Sequence, residues 1–108
     1  MIIIWNIWNN NYYNDLNNII IRSDSKIITG NGTNKVALFT KDQVASILGV
    51  SSLNIYKCII TVNNGDGTAT QIGFYNVQYL QNVYYILFSS NTPKGSIRIN
   101  YCIIYNKG

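Results

Sequence analysis

At 108 residues with 47% hydrophobic content, the chain is long enough for one domain with a modest core. Only 11% of its residues are charged, against roughly 25% in an average soluble domain, and both His and Glu are missing. A surface this poor in charge must be covered by Asn, Ser, Thr and Tyr, which is the exterior expected of a protein that meets copies of itself. The net charge of +4 comes from a scarcity of acids, and Arg22, Lys26, Lys35, Lys41, Lys57, Lys94, Arg98 and Lys107 are scattered. Nucleic-acid binders concentrate such cations along a groove, so no nucleic-acid partner is expected.

Residues 2–8 alternate Ile3, Trp5 and Ile7 against Ile2, Ile4 and Trp8, which predicts a strand with large side chains on both faces. The segment has no basic leader and is broken by Asn6 and Asn9, far short of the ~20 apolar residues that span a bilayer. Neither a signal peptide nor a membrane anchor is predicted, and synthesis in the cytoplasm follows. Residues 9–18 read as loop. Ile19 to Ile21 and Lys26 to Ile28 read as two short strands, and residues 30–34 as a turn in which Gly and Asn accept positive φ.

Thr40-Lys41-Asp42-Gln43 is a capping box, with Thr40 and Gln43 able to bond each other's backbone N–H. Val44, Ile47 and Leu48 follow at helical spacing and Gly49 supplies a left-handed cap, so a helix is predicted over 41–48. Beyond Leu53 every element reads as strand: 55–62, then a hairpin loop at 63–67, then 68–80 with Gly73 marking a bulge. Gln81-Asn82 turns the chain into 83–89, and residues 91–95 turn it into the last strand. The order predicts an antiparallel meander. In the last strand Ile97, Ile99, Tyr101, Ile103 and Tyr105 alternate with Arg98, Asn100 and Cys102, the period of a half-buried strand. Residues 83–88 are apolar on both faces and need a second layer, from the N-terminal strands or from neighbouring subunits.

The groups that do chemistry are sparse. General acid–base work would fall on four Asp residues far apart in the sequence, and no phosphate-binding loop occurs, so no enzyme activity and no cofactor are expected. Asn64-Gly65-Asp66-Gly67 resembles part of a calcium loop, but a closing Glu is missing and a tight hairpin explains it better; no metal is expected. Cys58 and Cys102 fall among Ile and Tyr in strands and are expected to be reduced and buried rather than joined. The aromatic residues read mainly as core or subunit interface. Ile3, Trp5, Ile7, Tyr85 and Leu87 are the expected oligomer contacts. Tyr75 and Tyr79, interleaved with Asn76 and Gln78, are the candidate platform for a sugar.

The run from Gly65 to Gly73, the aromatic strand around Tyr84-Tyr85-Ile86 and the closing Gly95-Ser96-Ile97-Arg98-Ile99-Asn100-Tyr101 together resemble the C-terminal half of small trimeric bacteriophage fibre proteins, over about residues 53–108. The resemblance implies a virion structural protein whose N-terminal segment anchors or intertwines three subunits. The heptad coiled coil that such fibres often carry is missing here, which favours a short head-fibre base or capsid decoration protein over a long shaft. The expected fold is therefore all-β, an antiparallel sandwich or barrel-like domain with one short helix. It is a single folding unit, with residues 1–34 as an N-terminal strand and loop segment and 35–108 as the β-rich domain. The expected partners are two further copies of the chain, capsid or other fibre proteins and a host surface glycan. A receptor-binding fibre knob or a carbohydrate-binding module is the alternative.

Overall fold

The computed structural model describes residues 12–16, 18–64 and 74–108. They form two antiparallel sheets with one short helix, packed as a sandwich that does not close into a barrel. The first sheet has the order β1-β2-β7-β4, from strands β1 (Tyr12–Leu16), β2 (Ile19–Gly30), β7 (Gly95–Asn106) and β4 (Cys58–Asn64). The second has the order β3-β6-β5, from β3 (Lys35–Thr40), β6 (Val83–Phe88) and β5 (Phe74–Leu80).

Strand β7 is the spine. All twelve of its residues pair with β2, and seven of β4 pair with its other side. Ile97, Ile99, Tyr101, Ile103 and Tyr105 are buried on the side that meets the second sheet, so the alternation read in the sequence is the alternation that builds the core. Opposite them, β6 contributes Tyr84, Ile86 and Phe88, and β3 contributes Val36, Leu38 and Phe39. Phe39 meets Tyr101 edge to face, with ring centres 5.0 Å apart.

Helix α1 (Lys41–Leu48) forms as its sequence dictates. The Gln43 N–H donates to Thr40 Oγ1 at 3.1 Å, the Thr40 N–H donates back to Gln43 Oε1 at 2.9 Å, and Gly49 caps the other end at φ 74°. At eight residues it is too short to persist alone, so its stability comes from laying Val44, Ala45 and Leu48 into the core.

Several expectations need correction. The two short strands predicted at 19–21 and 26–28 are one strand, β2, because pairing with β7 carries the backbone straight through the polar interruption. Arg22, Asp24 and Lys26 lie on the same side of β2 as the buried Ile20 and Ile28, and are half-buried there. Lys26 reaches across to donate to the Leu38 carbonyl at 2.6 Å with its ammonium 4.1 Å from the centre of the Phe39 ring. That carbonyl belongs to a bulge, where β3 carries one residue more than β6 between Ala37 and Phe39, which is how Leu38 and Phe39 are both buried in succession.

Residues 12–16, read as loop, form strand β1, since β2 offers a free edge that overrides the weak strand preference of Asn and Asp. The strand predicted at 55–62 begins instead with a 3-10 turn over Ile55–Lys57, capped by Asn54, and β4 starts at Cys58. The meander is also wrong. β4 pairs with β7 in one sheet while β5 pairs with β6 in the other, so the chain changes layers between β4 and β5. Alternation fixes which face a residue takes but is silent on which strand lies beside it. The hairpin loop and the Gly73 bulge fall largely outside the described residues; the bulge that is described lies at Tyr75, between Phe74 and Asn76. The division at residue 34 does not follow the sheets, since β2 is an inner strand of the first.

Candidate interaction surface

The second sheet has one side in the core and one in solvent. Along β6, Tyr84, Ile86 and Phe88 face inward, while Val83, Tyr85 and Leu87 face outward and remain half-buried. The register places Leu87 between Lys35 and Asn76, Tyr85 between Ala37 and Gln78, and Val83 between Thr40 and Leu80. The outward face is thus an aliphatic and aromatic ridge, Val83-Tyr85-Leu87, with Ala37 on one side and Leu80, itself 44% exposed, on the other. Its rim is polar. Lys35 stands over the Tyr85 ring with its ammonium 4.4 Å from the ring centre, and Asn76 and Gln78 supply amides. An apolar centre inside a polar rim is the anatomy of a protein contact.

This arrangement unites two residues that the sequence singled out, Tyr85 and Leu87, on one face and two positions apart. Ala37, Val83 and Leu80 were not anticipated there, and only the register could have revealed them, because their apolar character is equally consistent with the core. Ile3, Trp5 and Ile7 lie outside the described residues. Tyr79 is on the opposite side of its sheet from Tyr85: its ring packs 4.9 Å from Tyr84 and its hydroxyl donates to Asn82 Oδ1 at 3.1 Å. Tyr75 occupies the bulge of β5.

Behind this face sits a group of buried polar atoms. The Tyr84 hydroxyl is enclosed and has no hydrogen-bond partner. Burial pushes its phenol far above the usual range, and the neighbouring Cys58 adds to the rise. Burial also raises the Cys58 thiol, with Tyr84 pulling it partly back; the two influence each other without reaching hydrogen-bond geometry. Cys102 is buried on the other side of the first sheet, also with its thiol raised by burial, and both cysteines are free. Among the described residues, no cation contributes to the shift of either thiol, so neither gains the lowered pKa that makes a thiol reactive.

One open cavity of about 500 Å³ lies where the start of α1 meets the β5–β6 turn, lined by Thr40, Lys41, Asp42, Ser51, Ser52 and Asn82 among others. It brings together one cation, one carboxylate and several hydroxyls. Among the described residues no three His, Cys, Asp or Glu side chains converge, and no helix is long and apolar enough to cross a membrane. No protein family, no curated protein and no solved structure matches the chain.

Proposed function

We propose that this chain is a structural protein that works by assembling with copies of itself, as a trimeric head-fibre or capsid-attached decoration component of a bacteriophage virion. The observation that carries the self-assembly is the ridge Val83-Tyr85-Leu87 on the outward face of the second sheet, flanked by Ala37 and Leu80. A solvent-facing side of an antiparallel sheet ordinarily alternates to polar residues, and this one keeps apolar groups on its central strand. The low charge of the whole chain supports the same reading, since few like-charged pairs oppose close approach. The virion setting rests on the resemblance of residues 53–108 to small trimeric fibre proteins.

The sheet face measures roughly 20 Å along the strands by about 14 Å across, near 300 Å². A standard interface needs about 800 Å² per partner, so the ridge serves as its centre and further surface of the chain must join it. The binding alternative, a fibre knob or carbohydrate module, gains less support. Tyr79 turns inward with its hydroxyl occupied, and the aromatics that face outward beside amides are Tyr85 next to Gln78 and Tyr56, 93% exposed, next to Asn54.

Native mass spectrometry of the full chain tests the reading. Three copies per particle, or six where a separate twofold contact joins two trimers, is the expected result. A single copy at micromolar concentration would contradict self-assembly, and a glycan bound saturably by that single copy would move the assignment to a binding module.

A further inference from the structure

Four strands border the two sheets, and three of them carry features that blunt an open edge. Strand β3 is bulged at Leu38, its Leu38 carbonyl is taken by Lys26, and its Lys35 carbonyl accepts from Asn31 Nδ2 and Thr33 Oγ1, both at 3.1 Å. Strand β5 is bulged at Tyr75, and its Val77 N–H donates to Asn76 Oδ1 at 2.8 Å. Strand β1 has five residues and includes Asp15. Bulges, short length, charge and occupied backbone groups are the means by which sheet proteins discourage edge-to-edge pairing.

Among the described residues, strand β4 shows none of them. Its seven residues, Cys-Ile-Ile-Thr-Val-Asn-Asn, keep unbroken register with β7 and include no charge, proline, glycine or bulge. Among the described residues, no strand pairs with its other side. Ile59 is 61% exposed and Thr61 is exposed beside it.

We propose that β4 pairs antiparallel with β4 of a second copy, about a twofold axis at Thr61, joining the two four-stranded sheets into one of eight. Thr61 is the middle residue of the strand, so this register pairs all seven positions. Thr61 then faces its own counterpart, Ile60 faces Val62, and Ile59 faces Asn63. Ile60 and Val62 lie on the core side and Ile59, Thr61 and Asn63 on the other, so the pairing sets inner residues beside inner and outer beside outer, as a period of two demands. Threonine opposite threonine and β-branched opposite β-branched are favourable cross-strand pairs, and no like charges meet. This contact is separate from the Val83-Tyr85-Leu87 face and does not depend on it.

Two variants at the axis test it by opposite signs. Thr61→Cys, mildly oxidised, gives a covalent dimer whose peptide map links position 61 of one copy to position 61 of another, while Ser90→Cys, also exposed, does not. Thr61→Lys sets two ammonium groups face to face and weakens the twofold step at least about tenfold, with an unchanged melting curve because the side chain points to solvent. Tyr85→Asp leaves the position-61 link intact. Absence of that link, or an equal dissociation constant in Thr61→Lys and wild type, overturns the inference. Assembly lost in Tyr85→Asp but untouched in Thr61→Lys would sink the β4 pairing and leave the sheet-face reading standing; the reverse pattern would do the opposite.

Discussion

Gly30→Ala should be among the most damaging single-methyl changes in this chain. Gly30 ends β2 in a buried position opposite Gly95, where the loop from β6 to β7 crosses it. A Cβ added there would stand 1.9 Å from the Pro93 carbonyl oxygen, and real Cβ contacts do not fall below 3.0 Å, so that backbone must retreat by at least 1.1 Å. The retreat cannot be local. The preceding Thr92, 2% exposed, fastens the loop to the turn after β2: its N–H and Oγ1 both donate to the Thr33 carbonyl, at 2.9 and 2.7 Å, and its Oγ1 accepts from the Asn31 N–H at 3.3 Å. Losing two or three such bonds in a buried loop costs about 1 kcal/mol each, partly offset by the ~0.5 kcal/mol that alanine gains over glycine in the unfolded chain. The net is a loss of about 1.5–2.5 kcal/mol, or roughly 6–20 °C in melting temperature for a domain of this size. Gly49→Ala is the contrast: nothing lies within 4 Å of its added Cβ, and only the φ of 74° penalises it, at about 1 kcal/mol. Urea unfolding followed by circular dichroism at fixed protein concentration measures both. A loss below about 1 kcal/mol for Gly30→Ala, or equal losses at the two glycines, would refute the close-approach reasoning.

Tyr84→Phe removes an enclosed hydroxyl that has no partner, so the variant's unfolding free energy should equal or exceed that of wild type, by up to about 1 kcal/mol. The phenol of Tyr84 keeps its proton in the folded chain well above pH 10, whereas the unfolded chain releases it near 10; the unfolded state then binds fewer protons, and stability falls as pH rises past 10. Burial lowers Lys26, which acts in the opposite sense over the same range, so the test is the difference: Tyr84→Phe should flatten the alkaline loss relative to wild type in melts between pH 9 and 11. Thr40→Ala deletes the capping acceptor and should cost about 1 kcal/mol in urea unfolding, with Thr40→Ser near neutral. Gln81 and Asn82 turn β5 into β6 at φ 49° and 68°, a conformation that Asn adopts more readily than Gln, so Gln81→Asn should stabilise by about 0.5 kcal/mol.

What the sequence disclosed and what it hid divide along physical lines. Strand β7 and helix α1 were legible because their signals are local: a side chain every second residue, a hydroxyl three residues before an amide, a glycine at the left-handed cap. The Gln81-Asn82 turn was legible for the same reason. Strand pairing was not, because β4 and β5 follow each other in sequence yet join different sheets, and nothing in either strand's alternation names its neighbour. The continuity of β2 through Arg22, Asp24 and Lys26 depends on β7 holding its backbone and on a bulge in β3, twelve residues further along the chain, offering the Leu38 carbonyl to Lys26. The candidate surface was half-legible. Tyr85 and Leu87 announce themselves by alternation within an aromatic strand, but Ala37 and Leu80 join them only through register, and the inward turn of Tyr79 follows from its pairing with Tyr84.

Sedimentation velocity of wild type and Tyr85→Asp, at matched micromolar concentrations and over a dilution series, asks directly whether the outward face of the second sheet holds copies together. Tyr85 is half-buried on a solvent-facing side, so the aspartate leaves the core intact while placing a charge in the centre of the apolar ridge. A wild-type species larger than one chain that shifts to smaller species in Tyr85→Asp, with the melting curve retained, is the expected result. Identical sedimentation of the two proteins at every concentration would contradict it.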